Sequence, residues 1–497
     1  MDCGRESPRH YFFEGKASAF TLSSGEKESI FFAISAFFPF VTHSSSYARS
    51  WSSVFLEQFE KTWSFLCRTD KVAPLIILIL SLLGVSGIYS SGALRGSDDW
   101  LKQIYFLLAG GFVYCVVASI PFKFYRDWSN LFYILGVALL IPIAVCALLK
   151  MNLGHFIHSV NGSRRWYFIG SFGLQPSEFA KITTLIMLAK LLSLKPLGAF
   201  RESWKWVLKA AIVAGIPWLL IVVEPDLGSS IVYVPLTAAL LWLAGLTRRF
   251  FWSAGAAALL FVSVVSVDIY FYRERIVTYY QEQGERPRDP ARDIQGQYEK
   301  VSWLPLKDYQ RARLLSFVDP NAIDPKGIGA SWNVRQAKIS VGNGGVTGKG
   351  FNEGMQAKLG YLPELAAHND FLFSVLAEEY GLVGCAGILL LYLLLAFRAL
   401  QIGLRVRDTF GSLLAVGISV VLMVHVLINV GMNIGLMPVT GLSLPFMSYG
   451  GSFVLSCFIL LGLLQSVHSH APREGEHNNG VRVPDSLNAS QSLSSPV

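Results

Sequence analysis

Residues 333–384 read NVRQAKISVGNGGVTGKGFNEGMQAKLGYLPELAAHNDFLFSVLAEEYGLVG. Glycine-rich, amide-rich and charged sequence runs straight into a long apolar block, and Asp370 stands at the join. Most of the chain on either side is apolar. A polar loop pinned to the edge of a membrane and ending in a carboxylate is where chemistry is expected.

Composition supports the membrane reading. Apolar residues make up 52% of the 497 residues and charged ones only 15%, with a mean hydropathy of +0.44. A soluble chain of this length needs more charge to cover its surface. A helical crossing takes ~20 apolar residues, and only closed hydrogen-bonding structures survive in lipid. The spacing predicts an all-α polytopic protein with spans near 73–91, 103–121, 129–150, 176–194, 207–224, 228–246, 250–270, 371–397, 409–436 and 448–467. Lysines and arginines collect after the second, fourth, sixth and eighth spans and before the first, which places both termini in the cytoplasm. The large loop between spans seven and eight, 271–370, is then extracytoplasmic. Residues 1–70 form a cytoplasmic extension, 71–468 the membrane domain, and 469–497 a tail whose composition reads as disordered. The charge-mixed part of the large loop, about 273–300, reads as a flexible insertion. The net charge of +8 belongs to topology and tails, with no basic–aromatic stripe for nucleic acid. The six cysteines are scattered, without a disulfide or zinc framework.

Several polar groups stand at span ends, and each has a structural reading beside a functional one. Arg164-Arg165-Trp166 breaks the charge bias of an outer loop. It is either an interfacial anchor or a fork for an anionic head group. Gln175-Pro176-Ser177-Glu178 opens the fourth span as ordinary helix-start chemistry, with Lys181 on the same face as Glu178. In Glu224-Pro225-Asp226-Leu227-Gly228, Asp226 is either a cap for the sixth span or a cavity acid. The run GNGGVTGKG, residues 342–350, lacks the Walker ending. It is either a flexible turn or a backbone phosphate cradle, with Lys338 and Lys349 as partners. Asp370 is either a helix cap or a general base. His368 reads as structural or interfacial. Glu378 and Glu379 need partners or water. The run Pro445-Phe446-Met447-Ser448-Tyr449-Gly450-Gly451 reads as close helix packing.

Taken together, NGSRRWYFIGSFGLQPSEFAKI, VEPDLGSS, DYQRARLLSFVDP, QAKISVGNGGVTGKGF, HNDFLFSVLAEE and NIGLMPVTGLSLPFMSYGGS give the chain a resemblance. Over roughly 72–468 it resembles the SEDS family (shape, elongation, division and sporulation proteins). DYQRAR, GKGF and NVGMNIG look more like the elongation branch, the RodA type, than the division branch, the FtsW type. The resemblance implies a ten-span peptidoglycan glycosyltransferase that polymerises lipid II at the outer face of the cytoplasmic, or inner, membrane. It implies a class B penicillin-binding protein as partner, with other membrane proteins of the elongation complex. It carries the essential acid onto Asp370, the loop tryptophan onto Trp166, and the acids of two further motifs onto Asp226 and Glu178. The chain departs where the usual HTD reads His368-Asn369-Asp370 and where QPDLG begins with Glu224. On this reading Asp370 activates the acceptor hydroxyl, while Arg164, Arg165, Lys338 and Lys349 face the leaving pyrophosphate. Mg²⁺ or Mn²⁺ sharing that charge is a further expectation, with no organic cofactor. Lipid II transport without polymerisation, a division-type enzyme and a non-catalytic scaffold remain as alternatives.

Overall fold

The computed structural model describes residues 69–92, 96–159, 163–170, 172–283, 296–304, 306–324, 327, 331–362 and 367–471. The extension read over 1–70 and the tail read over 469–497 lie almost wholly outside the described residues, as do residues 284–295 of the insertion read over about 273–300. Among the described residues, eight helices are long and apolar enough to cross a membrane. In chain order they are α1 (Val72–Gly92), α2 (Asp99–Ser119), α4 (Ser129–Leu148), α6 (Phe200–Val223), α9 (Arg248–Gln283), α14 (Leu372–Arg405), α15 (Thr409–Asn433) and α16 (Gly451–His470). Two shorter pieces complete the expected ten. One is α5 (Pro176–Ser193), whose polar Glu178 and Lys181 are buried. The other is the pair α7 (Leu227–Ile231) and α8 (Tyr233–Leu243). A short α3 (Phe122–Asp127) links α2 to α4. A two-stranded antiparallel hairpin, β1 (Tyr167–Ile169) with β2 (Phe172–Leu174), pairs Phe168 with Gly173.

Burial ranks the helices. The apolar windows of α15 and α16 are 72% and 78% buried, whereas that of α9 is 0% buried. The first two are therefore the hub. Helix α16 lies along α2, where small residues let the two come together: any side chain at Gly110 would run into Phe458. The outer faces of α2, α4 and α6 carry Phe112, Ile134 and Leu219, exposed as lipid-facing side chains should be.

Helix α9 corrects the expected start of the large loop. Its 36 residues span about 54 Å at the α-helical rise, well beyond the ~30 Å hydrocarbon layer. Residues 271–283 therefore continue the helix. Ile269, Tyr272 and Ile276, from the last turn of the expected span onward, pack against Ala312, Leu315 and Ile323 in a small core of their own. The last three come from α10 (Asp308–Val318) and α11 (Pro320–Ile323). Arg311 bolts the module together. It pairs with Asp268 at 2.8 Å and Asp308 at 3.3 Å, and all three side chains are fully buried.

The glycine-rich run is neither a flexible turn nor a phosphate cradle. Helix α12 (Trp332–Gly344) precedes it, and α13 (Met355–Lys358) follows. Between them the backbone docks on α14, which breaks at Gly381 (φ 64°). The break removes the helical bonds that Leu382 and Val383 would make to the carbonyls of Glu378 and Glu379. All four groups find new partners. Leu382 N and Val383 N donate to Gly345 O and Val346 O at 2.9 and 3.1 Å. The two glutamate carbonyls accept from Lys349 N and Gly350 N at 3.0 Å. Backbones this close leave no room for Cβ atoms at Gly344 or Gly348. Buried Glu378 completes the seam, accepting from Lys349 Nζ at 2.6 Å, Ser340 Oγ at 3.0 Å, Met355 N at 3.1 Å and Gln356 N at 3.2 Å.

Removing that carboxylate leaves an ammonium and two amides without their acceptor. Glu378→Ala is expected to destabilise the protein by about 3 kcal/mol. Glu378→Gln, which keeps one acceptor oxygen, should cost less. Thermal unfolding together with amide exchange over residues 349–356 checks this. Equal melting and unchanged exchange in Glu378→Ala would remove the seam's assigned role.

Candidate active site

Asp370 lies in the turn that leads into α14. Its backbone is held from three sides. Tyr449 N donates to His368 O at 2.9 Å, and Ser448 Oγ donates to Asn369 O at 2.7 Å. Asn429 Nδ2 and Asn433 Nδ2 both donate to Asp370 O, at 2.9 and 3.0 Å. The helix-cap reading of Asp370 does not hold. Phe371 occupies the cap position of α14 and makes no side-chain cap bond. Ser374 N is instead satisfied by Asn433 Oδ1 at 3.2 Å. The Asp370 carboxylate accepts no hydrogen bond from the described protein groups. Its Oδ2 lies against Gly441, whose φ of +80° favours glycine.

A second acid and two guanidinium groups complete the cluster. Asp226 caps α7 through Ser229 N at 3.2 Å. Its other oxygen accepts from Gln175 Nε2 at 2.9 Å and Ser177 Oγ at 3.2 Å. Asp226 is thus both cap and site residue, and the opening residues of α5 serve it. Arg165 Nη1 stands 3.8 Å from Asp226 Oδ1, while Nη2 donates to Pro225 O. Burial alone would raise Asp226, but Arg165 and the Ser229 bonds hold it below the usual carboxylate range. Asp370 has no such bonds. Burial pushes it up to about 6, opposed by Arg165 and Arg313 and assisted by Asp226. Beside them, Glu224 is fully buried with neither carboxyl oxygen hydrogen-bonded. Burial and neighbouring Asp226 push it up to about 9, so it stands protonated at neutral pH.

The remaining candidates separate. Arg164 turns away from its neighbour, to Asn152 Oδ1 and Lys150 O at 3.0 Å, and fastens the loop after α4. Trp166 lies over Gly173 of the hairpin, which Ser452 Oγ ties to α16 through Gly173 O at 2.7 Å. Glu178 and Lys181 form a buried pair at 2.8 Å, with Lys181 also 3.1 Å from His425 Nε2. The Lys181 charge reaches Asp226 and helps to hold it low. His368 faces Asp99 at 3.9 Å and the Tyr449 ring, toward α2. Lys349 is held by Glu378, and exposed Lys338 lies across Gly435. Of the four expected cations, Arg165 is the one that lies beside Asp226, and the charge of Arg313 reaches Asp370 together with that of Arg165.

Arg313 and Tyr309 on α10, like the Asn429–Asn433 clamp, escaped the sequence reading, and Ser448 reads there only as helix packing. Amides four apart inside an apolar span were an available signal, since polar groups at that depth need a purpose. Arg313 stood within DYQRAR as one charge among several. Among the described residues no three acid, histidine or cysteine side chains gather as metal ligands. The two acids of the cluster, Asp226 and Asp370, face guanidinium groups.

The profile of the FtsW/RodA/SpoVE family, described as cell cycle proteins, matches residues 70–298 and 294–473. The peptidoglycan glycosyltransferase MrdB of Escherichia coli K12 is 32% identical over 405 residues, 81% of this chain and 95% of MrdB. A probable peptidoglycan glycosyltransferase FtsW of Hydrogenovibrio crunogenus is 34% identical over 403 residues, 80% of this chain and 89% of that protein. A solved chain from a peptidoglycan synthase complex, studied for coordination of polymerisation and crosslinking, superposes with a TM-score of 0.60. That superposition covers 80% of this chain and 97% of the other at 24% identity, a likeness of fold.

The raised Asp370 has a thermodynamic signature. Its folded pKa of about 6 exceeds the ordinary 3.8, so the folded state binds more protons between those values. Stability then falls as pH rises through that window. Asp370→Asn removes the dependence. The variant should melt higher than the native protein at pH 7.5, with the gap closing toward pH 4. A variant that melts lower at pH 7.5 would show the carboxylate to be a structural asset.

Proposed function

The chain belongs to the FtsW/RodA/SpoVE family, and from that premise we propose that it is a peptidoglycan glycosyltransferase polymerising lipid II. The observation that carries this reading is a carboxylate whose backbone is clamped and whose oxygens are left free, facing guanidinium groups. A hydroxyl is a poor nucleophile at neutral pH, and a positioned base contributes ~100- to 10,000-fold. Asp370 takes the proton of the acceptor sugar 4-hydroxyl. The hydroxyl oxygen bonds to the anomeric carbon of the lipid-linked donor as the bond to the diphosphate oxygen breaks. The diphosphate leaves with that electron pair, and its charge is met by Arg165. Displacement in one step inverts the anomeric centre.

Asp226 serves by holding Arg165, and Gln175 and Ser177 serve by holding Asp226. Trp166 and the hairpin present Arg165 to the cluster, with Glu178 and Lys181 beneath as a charged support. The sugar-bearing end lies at the extracytoplasmic face of the cytoplasmic membrane, as the charge bias of the loops supports. A class B penicillin-binding protein is the proposed partner. The elongation branch is proposed on the DYQRAR, GKGF and NVGMNIG segments.

Polymerisation of labelled lipid II by the protein with a class B penicillin-binding partner tests the reading. The native protein should make glycan, and Asp370→Asn should lose at least about 100-fold in rate. With the base near pKa 6 in the free protein, the native kcat/KM should fall about tenfold between pH 7 and pH 5. Equal rates in both proteins would take the base role away from Asp370. Absent polymerisation with lipid II scrambling in vesicles would favour the transporter.

A further inference from the structure

Helix α10 carries two arginines with opposite situations. Arg311 and Arg313 are two residues apart, so their side chains leave the helix about 200° from each other. Arg311 is consumed within the module. Its guanidinium binds Asp268, Asp308, Ser302 Oγ at 2.6 Å and Leu304 O at 3.0 Å, and lies 5.0 Å from the centre of the Tyr298 ring. Arg313 looks the other way, with Tyr309 one turn earlier on the same face. The groups whose charge reaches it are Arg165, Tyr309, Asp370 and Asp226. Among the described residues no carboxylate lies within ion-pair distance of it. Removal from water and repulsion by Arg165 both work against its charge. Two guanidinium groups kept in mutual repulsion, one with a buried unpartnered Nε, make a place that an anion relieves.

We propose that Arg313 is a second ligand of the donor's diphosphate, supplied to Arg165 and Asp370 by the α9–α10–α11 module. This rests on the glycosyltransferase reading and adds a residue to it. The buried Asp268–Arg311–Asp308 group fixes the rotation of α10 on α9, so that Arg313 is aimed rather than free. A planar guanidinium suits a diphosphate because it offers paired donors in a fixed fork. As the bond from the anomeric carbon to the diphosphate oxygen breaks, the electron pair goes to that oxygen and Arg313 takes up part of its charge.

The experiment compares Arg313→Gln and Arg313→Lys with the native protein in complex with its penicillin-binding partner. The readouts are polymerisation rate, inhibition by added undecaprenyl pyrophosphate, and melting temperature. Arg313→Gln should lower the rate about 100-fold and raise the inhibitory concentration of undecaprenyl pyrophosphate about tenfold, with melting close to native. Arg313→Lys should fall between the two in both rate and inhibition. A lowered rate with unchanged inhibition would overturn the proposal, since a structural defect alone gives that pattern. Unchanged rate and inhibition would overturn it equally. Should the native complex fail to polymerise, binding of undecaprenyl pyrophosphate to native and Arg313→Gln proteins decides the matter. Equal binding overturns the proposal, and weakened binding sustains it while the glycosyltransferase reading falls. Activity retained in Asp370→Asn bears on the base alone.

Discussion

Three consecutive backbone carbonyls, those of His368, Asn369 and Asp370, are held by groups from elsewhere in the chain, and the arrangement of the site follows from that. A turn buried at the edge of a bilayer has no bulk water for its backbone, so each polar group must find a protein partner or cost free energy. Here the partners are Tyr449 N, Ser448 Oγ and the amides of Asn429 and Asn433. Asn429 also donates to Leu442 O at 2.7 Å, which joins α15 to the segment before α16. Because main-chain bonds fix the turn, the Asp370 carboxyl need not bond to anything to stay in place. Rigid support with a free functional group is the condition a positioned base requires.

The same accounting separates scaffold from site elsewhere. Glu378 has four donors, Arg311 two carboxylates and further acceptors, and Glu178 a lysine at 2.8 Å. Each is a buried charge with its partners in place, as stability demands. Among the described residues Asp370 and Arg313 lack such partners, and Glu224 avoids the cost by holding a proton. The charges of Asp226 and Arg165 reach all three. Buried charge alone does not mark function in this protein.

That distinction explains which parts were legible in the sequence. Hydropathy gave the spans, because lipid imposes one constraint on every residue of a crossing helix. Asp370, Asp226 and Arg165 stood out because carboxylates and arginines at span ends are costly. Adjacent Arg164 and Arg165 look alike in sequence, yet one fastens Lys150 and Asn152 while the other meets Asp226. The choice between them is made by the hairpin and by Ser452, far away in the chain. The glycine run was misleading for a similar reason. Its glycines answer a helix break at Gly381, and nothing local in GNGGVTGKG announces that partner. Arg313 was hidden because its meaning lies in the rotation of α10, which Asp268 sets from another helix.

The cluster couples donor and base through its field. In the free protein Arg165 and Arg313 stabilise the Asp370 anion and oppose the rise that burial imposes. A diphosphate between those guanidinium groups neutralises them. Asp370 then keeps its burial and the repulsion from Asp226 but loses its counter-charges, so its affinity for a proton rises. The base is weakest when the site is empty and strongest when a donor is in place. Proton removal is thereby favoured when a leaving group stands ready to accept electrons. A carboxylate tied by direct hydrogen bonds would respond less to that change, because those bonds would hold its pKa down in either state. The free oxygens of Asp370, made possible by the clamp on its backbone, let the field of the bound substrate tune the base.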